Sequence, residues 1–246
     1  MRSIRVLLAT MMALCCTTAF AQGELTGNFR MSATTLEVFS PADAESISHF
    51  IALDEEVQWQ VFVPETYDSS RPPGVFIFVD PNGWGGMPDQ YRQLFTSRNM
   101  IWIGARGGER NPETARKMFK AVMAERIIDK NYTVDLNRLY VGGAGNESVT
   151  VLNLMLRASE FNGALYINGS ANWGADKPDT FDYLARKPHA FIIGSGDKKW
   201  QAVRADYDRY KAGGVENVKL LYRSGTIRDW PDAEQMDEAL AFLDAH

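Results

Sequence analysis

The chain contains very few of the side chains that carry thiol, metal or imidazole chemistry. Its 246 residues include only two cysteines, Cys15 and Cys16, and three histidines, His49, His189 and His246. Both cysteines fall inside an apolar leader, so we expect neither a disulfide nor a thiol nucleophile in the exported chain. The histidines lack metal-ligand spacing, and we interpret each one as a surface or edge residue rather than as a catalytic base. We therefore predict no metal site and no cofactor.

The amino-terminal apolar run is too short to cross a membrane. Residues 6–16 are largely apolar, whereas a membrane helix needs about 20 such residues. Arg2 and Arg5 precede the run and Ala-Phe-Ala at 19–21 follows it, which is the pattern of a cleavable signal peptide. We predict a signal peptide over residues 1–21, cleaved after Ala21, and a mature protein that is periplasmic or secreted.

Basic clusters are also absent. The formal net charge of the chain is −5, and it becomes −7 when the two leader arginines are removed. No run of Lys and Arg offsets this negative charge. We therefore expect no binding to nucleic acid or to an anionic membrane surface.

Strand-like and helix-like segments alternate from residue 57 onward. Continuous apolar runs such as 74–80 and 100–104 are typical of strands buried on both faces of a parallel sheet. The alternation predicts an α/β fold with a doubly wound, mostly parallel sheet, to which residues 22–63 add antiparallel edge strands. The length after cleavage suits a single domain over residues 22–246. The predicted strands are 57–63, 74–80, 100–104, 138–142, 163–168, 189–194 and 218–222, and the predicted helices are 88–98, 112–130, 148–156, 198–212 and 232–245.

A sheet of this kind places its ligand crevice beyond the carboxyl ends of its strands. That rule selects the loops 80–87, 105–112, 142–147, 194–199 and 223–231. Within them, tryptophan rings can cover a sugar face or an aromatic ring, and backbone groups can bind a polar ligand. The predicted ligand-binding residues are Asn82, Gly83, Trp84, Asn146, Glu147 and Trp230.

The turn between the strand at 138–142 and the helix at 148–156 is rich in glycine. Its sequence, Gly142-Gly143-Ala144-Gly145-Asn146-Glu147-Ser148, is of the strand-to-helix type on which α/β-hydrolases place Gly-x-Ser-x-Gly. Laid on residues 143–147, that pattern keeps the first glycine, but Gly145 replaces the serine and Glu147 replaces the last glycine. Because glycine has no side chain to attack an ester, the turn lacks its nucleophile.

Several other segments share a family likeness. The most specific is Asp135-Leu-Asn-Arg-Leu-Tyr-Val-Gly-Gly143, and weaker ones are Val61-Phe-Val-Pro64, the loop 74–86, Phe161-Asn-Gly-Ala-Leu165 and the segment 225–243. Together they resemble the poly(3-hydroxybutyrate) depolymerase-like and feruloyl-esterase-like branch of the α/β-hydrolases. The resemblance extends over residues 57–246 and implies an α/β-hydrolase fold and carboxylic-ester chemistry.

The resemblance also implies a catalytic triad in the chain order Ser, Asp, His. The serine position is Gly145, and the acid position matches Asp197, which would be a remnant. The histidine position holds Arg228, which stays protonated in proteins and cannot act as a base. If the loops lie as in relatives, Asp197 faces Arg228 and pairs with it. Ser148, about one turn into the helix, is a weak substitute nucleophile.

We therefore predict an exported, catalytically degenerate α/β-hydrolase-fold protein that binds a small ester-like or sugar-like molecule, or a partner, in the old crevice. One alternative is an active carboxylic-ester hydrolase with a displaced nucleophile, either Ser148 or Glu147 together with Asp197. A second alternative is an accessory surface interaction protein, which exposed apolar surface away from the crevice would favour.

Overall fold

The structure is a computed structural model that describes residues 25–107, 113–171, 184–223 and 230–246. Eight strands form one sheet. They are β1 (Gly27–Ala33), β2 (Val57–Val63), β3 (Gly74–Val79), β4 (Met100–Ala105), β5 (Leu139–Ala144), β6 (Gly163–Ile167), β7 (His189–Gly194) and β8 (Val218–Arg223). Their order across the sheet is β1-β2-β4-β3-β5-β6-β7-β8.

The strand directions confirm the predicted fold class. β1 pairs antiparallel with β2, and β2 pairs antiparallel with β4. All the remaining neighbours, from β4 through β3 to β8, are parallel. The parallel strands are apolar along nearly their whole length because both of their faces are covered by helices.

The helices also follow the predicted alternation. They are α1 (Thr35–Val38), α2 (Pro41–Ile47), α3 (Arg92–Ser97), α4 (Thr114–Asn131), α5 (Ser148–Arg157), α6 (Trp200–Ala212) and α7 (Ala233–Asp244). The first two were not predicted from the sequence. α1 is held by the Glu37 carboxylate, which accepts a hydrogen bond from the Thr34 N–H at 2.7 Å, and Ser40 caps α2 by accepting from the Asp43 N–H.

Apolar side chains fill both sides of the sheet. One cluster lies between the sheet and α4, α5 and α6, and the other lies between the sheet and α3 and α7. Trp102 is fully buried in the second cluster, and its ring stacks on that of Phe78 with 4.9 Å between centroids. In the part of the chain that the structure describes, no helix combines the length and the apolar character needed to span a membrane.

Candidate functional site

The glycine-rich turn is a sharp elbow between β5 and α5. Residues Gly145–Glu147 form a single turn of 3₁₀-helix that leads directly into α5. Gly145, at the apex, has a φ of +61°, a left-handed conformation that side-chain-bearing residues rarely adopt. A Cβ atom built on Gly145 would meet no atom within 4 Å. The apex therefore has the left-handed backbone of a nucleophile elbow and open space where a side chain would stand.

Two other glycines allow the elbow to pack closely. A Cβ atom on Gly143 would lie 2.8 Å from Cγ2 of Val151, so β5 and α5 approach too closely for a larger residue. A Cβ atom on Gly169, just after β6, would lie 1.9 Å from the carbonyl oxygen of Gly145. Both distances are shorter than van der Waals contact permits, so the elbow is wedged between its own helix and the neighbouring loop.

Glu147, a predicted ligand-binding residue and a candidate displaced nucleophile, is buried. Only 4% of it is exposed, and its carboxylate is 2.5 Å from Nζ of Lys117 on α4. The Thr150 hydroxyl donates to the other carboxylate oxygen at 2.8 Å. These bonds satisfy the charge internally and tie the elbow to α4.

Ser148 is fully buried in the first turn of α5. Its Oγ has no hydrogen-bond partner among the described residues. The Oγ lies only 2.2 Å from the position that a Cβ atom on Gly169 would occupy, which places it under the loop after β6. The hydroxyl is therefore shielded from solvent beneath that loop.

The loop after β3 is organised by Asp80. The two oxygens of its carboxylate accept hydrogen bonds from the backbone N–H groups of Asn82, Trp84 and Gly85 at 2.8 to 3.0 Å. Its backbone carbonyl accepts from the N–H of Gly83 at 3.4 Å. Pro81 has no N–H group. The N–H groups of residues 82–85 all donate to Asp80.

The elbow and the loop after β3 border a cleft of about 460 Å³ at the carboxyl ends of the strands. Four of the predicted site residues line it: Asn82, Gly145, Asp197 and Trp230. It is also lined by Asp80, Pro81, Ala144, Ile167, Asn168, Lys198 and Lys199. The sheet rule thus locates the cleft correctly, because the parallel strands end together.

The other predicted site residues lie outside the described lining of the cleft. Trp84 is 50% exposed, and its ring covers Gly86 of its own loop. Gly83, Asn146, Glu147 and Ser148 are not among the described lining residues. Arg228 lies outside the described residues, so its pairing with Asp197 remains a prediction.

Asp197 and Lys199 form the side of the cleft that follows β7. The Asp197 carboxylate accepts a hydrogen bond from the backbone N–H of Lys199 at 2.7 Å. The Lys199 ammonium reaches across to the elbow and donates to the side-chain oxygen of Asn146 at 2.9 Å. Lys199 thereby links the elbow to the loop after β7, a contact that spans 53 residues and that the sequence pattern did not reveal.

Asn168 is a second lining residue that sequence reasoning missed. It follows β6 and has a φ of +48°, a conformation that asparagine tolerates better than most residues. Its side-chain oxygen is buried and has no hydrogen-bond partner among the described residues. Asn168 therefore lines the cleft, while its side-chain oxygen is enclosed by the protein.

His189 is buried, which corrects its interpretation as a surface or edge residue. It is fully enclosed, and its two ring nitrogens contact the Tyr166 hydroxyl and the Leu184 carbonyl, each at 3.1 Å. Burial lowers the pKa of His189 to about 4, so the ring is neutral near pH 7. It lies at the amino end of β7, opposite the cleft. Its ring is therefore part of the core and not of the site.

Metal-binding groups do not converge in this structure. Across residues 25–107, 113–171, 184–223 and 230–246, no three His, Cys, Asp or Glu side chains are placed so that they could hold a metal ion.

Comparisons with known proteins agree on the architecture. A scan against protein-family models gives no match, and a search of curated proteins gives no significant match. Among solved structures, a ferulic acid esterase superposes with a TM-score of 0.63 over 89% of this chain and 100% of that chain, at 13% identity. A thermostable esterase superposes with a TM-score of 0.61 at 12% identity. The chain has an α/β-hydrolase fold.

The lengths and identities limit what these neighbours show. The match covers 89% of this chain but only 61% of the length of the thermostable esterase. Native Est2 of the planctomycete Thermogutta terrifontis, an esterase, superposes with a TM-score of 0.55 over 76% of this chain and 86% of its own, at 18% identity. Because all of these identities are low, the neighbours establish the α/β-hydrolase fold and an esterase-like scaffold rather than an activity.

Proposed function

We propose that this protein is an exported α/β-hydrolase-fold protein that no longer hydrolyses esters and that binds a small neutral molecule in the cleft at the elbow. The observation that carries the proposal is Gly145. It occupies the apex of the elbow with a φ of +61°, in front of open space, and it has no side chain.

No other described residue supplies the missing nucleophile. The described lining of the cleft contains no serine, threonine, cysteine or histidine. Ser148 is fully buried beside Gly169, and the Glu147 carboxylate is paired with Lys117. Both candidates for a displaced nucleophile therefore face the interior, which argues against the alternative of an active carboxylic-ester hydrolase.

The stabilisation of an oxyanion is also weakened. This fold uses one N–H from the residue after the nucleophile and a second from the loop after β3. The first donor, the amide of Asn146 at the start of the helical turn, remains. The second has no counterpart, since the amides of Asn82, Trp84 and Gly85 are bound to the Asp80 carboxylate. A developing oxyanion would therefore be held on one side only.

The composition of the cleft favours a neutral, polar ligand. The carboxylates of Asp80 and Asp197 balance the ammonium groups of Lys198 and Lys199. The lysines donate hydrogen bonds, the exposed side-chain amide of Asn82 donates and accepts them, and the partly buried ring of Trp230 adds an apolar surface. Sugars and esters combine these requirements, because they carry donors or acceptors on a framework without net charge.

The residues from Asp135 to Gly143 support an origin in the depolymerase-like and feruloyl-esterase-like branch, because that approach to the elbow is the most specific likeness in the chain. The leader at residues 1–21 supports export. Export is tested by expressing the full chain in a bacterial host and sequencing the amino terminus of the periplasmic product, which should begin at Gln22.

Hydrolysis is tested with the chain that begins at Gln22. We expect no turnover of p-nitrophenyl acetate or butyrate above background and no labelling by a fluorophosphonate probe. Ser148→Ala and Asp197→Ala are measured beside the wild type. Turnover that both substitutions abolish would overturn the proposal and identify a displaced nucleophile. A ferulic acid esterase serves as the positive control.

Binding is tested by calorimetry with cellobiose as the sugar and methyl ferulate as the ester. Asn82→Ala and Lys199→Met should weaken the binding of at least one of them, whereas Lys211→Met, a change at an exposed lysine of α6, should not. If neither probe binds, or if Lys211→Met has the same effect as Lys199→Met, the assignment of a sugar or ester ligand is wrong.

A further inference from the structure

A second concave surface lies between α4 and α5. Its volume is about 480 Å³, and it shares no lining residue with the cleft at the elbow. Both its size and its mainly apolar lining match those of small-molecule sites, which are typically about 300–1,000 Å³ and carry only a few polar groups. We call this surface the α4–α5 groove.

Apolar side chains form the walls and the floor of the α4–α5 groove. Met118, Phe119 and Val122 lie on one face of α4 and are only partly buried. Phe50 extends the wall, with 5.3 Å between its ring centroid and that of Phe119. Leu154 of α5 is fully buried beneath them. Together these side chains form a connected apolar surface against which an alkyl chain can pack.

The groove carries a single positive charge. Arg157, the last residue of α5, lines it and is exposed. Among the described residues, Arg157 makes no hydrogen bond and no ion pair, and the described lining of the groove contains no Asp or Glu. A guanidinium binds a carboxylate through two parallel hydrogen bonds, which is the strongest contact available to this side chain.

We propose that the α4–α5 groove binds a fatty acid, with its alkyl chain over Met118, Phe119 and Val122 and its carboxylate on Arg157. An unbranched chain fits a groove between two helices, since the helices present side chains and keep their backbone groups bonded internally. Methionine adapts to a flexible ligand because its side chain is unbranched. The carboxylate is directed to Arg157 because it is the charged side chain in the described lining of the groove.

The test uses the chain from Gln22 and dodecanoate as the probe, measured by titration calorimetry below its micellar concentration. The wild type should bind one dodecanoate, and Arg157→Gln should weaken the binding roughly tenfold or more, since a charge-assisted hydrogen bond is lost. Met118→Glu should abolish it, because the substitution introduces a carboxylate beneath the alkyl chain. Arg204→Gln, which alters an exposed arginine of α6, is the matched control and should have no effect.

A ligand comparison keeps the test independent of how well the variants fold. On the wild type, methyl dodecanoate should bind at least tenfold more weakly than dodecanoate, because the ester removes the charge that Arg157 pairs with. Equal affinities would overturn the proposal, as would unchanged binding by Arg157→Gln. Loss of binding in Lys199→Met would instead place the fatty acid in the cleft at the elbow. The protein is also sedimented with phosphatidylglycerol vesicles. If it binds the vesicles but not dodecanoate, the groove contacts a lipid surface and the proposal is refuted.

Discussion

The elbow makes a quantitative prediction about its three glycines. Gly145→Ser places a side chain on a residue with a φ of +61°, in space where the Cβ atom meets nothing within 4 Å. Its only cost is therefore the left-handed backbone, about 1–2 kcal/mol for a residue with a Cβ atom. For a chain of this size, each kcal/mol lowers the melting temperature by about 2–4 °C. We expect Gly145→Ser to melt about 2–8 °C below the wild type.

Substitutions at the other two glycines are destabilising for a different reason, the lack of space for a Cβ atom. In Gly143→Ala the new Cβ atom lies 2.8 Å from Val151 Cγ2, a contact that side-chain movement relieves in part, and such overpacking costs about 1–3 kcal/mol. In Gly169→Ala it lies 1.9 Å from the Gly145 carbonyl oxygen, so backbone must shift. Gly169→Ala should therefore be the least stable of the three variants.

Differential scanning calorimetry of the three variants measures this ranking directly. If Gly145→Ser were the least stable variant, two descriptions would be contradicted: the open space at Gly145 and the close packing at Gly143 and Gly169. Ester hydrolysis is measured on the same samples. Gly145→Ser should remain inactive, because the described lining of the cleft holds no histidine to activate the new hydroxyl. Turnover by this variant would show that a base is in reach and that only the nucleophile is missing.

Three further predictions concern buried or bonded charges. Because burial lowers the pKa of His189 from 6.5 to about 4, the histidine binds a proton at a higher pH in the unfolded chain than in the folded one. As the pH falls from 6.5 to 4, the free energy of unfolding of the wild type should therefore drop by roughly 3 kcal/mol relative to that of His189→Gln, with no further difference below pH 4. Urea unfolding at a series of pH values measures this loss. Lys117→Met leaves the Glu147 carboxylate buried without its cation and should lower the free energy of unfolding by about 3 kcal/mol. The double variant Lys117→Met with Glu147→Gln should recover most of that loss. Arg204→Gln, which breaks an exposed ion pair, should lower the free energy of unfolding by less than about 1 kcal/mol. Asp80→Ala removes the carboxylate that accepts hydrogen bonds from three backbone amides, so the amide protons of Trp84 and Gly85 should exchange faster with solvent. Unchanged exchange rates would contradict the role assigned to that carboxylate.

The parts of the fold that were predicted are those with a local signal. The bounds of β2 and β7 agree with the predicted ranges, because apolar and alternating runs reflect burial directly. The elbow was located because a glycine-rich turn between a strand and a helix is a local pattern. The two short helices α1 and α2 also carry local signals, Thr34 with Glu37 and Ser40 before Pro41, and attention to capping residues would have found them.

The parts of the site that were missed depend on contacts between distant residues. The burial of Glu147 follows from Lys117, thirty residues earlier, and the link from Lys199 to Asn146 spans 53 residues. Arg138 is the arginine of the most specific motif, and it pairs with Asp244 at the end of α7, with Nε···Oδ1 at 2.9 Å. That pairing is structural, and no local pattern distinguishes it from a functional one.

The shape of the elbow is therefore weak support for catalysis. Its left-handed apex is held by Gly143 and Gly169, which permit the close approach, and by the pair of Glu147 and Lys117, which anchors the turn to α4. None of these residues needs a nucleophile in order to do this. The fold preserves the geometry for reasons of packing, and the chemistry depends on the side chains that face the cleft. In the described part of the cleft these include lysines, asparagines, carboxylates and an indole, and no serine, threonine, cysteine or histidine is among them.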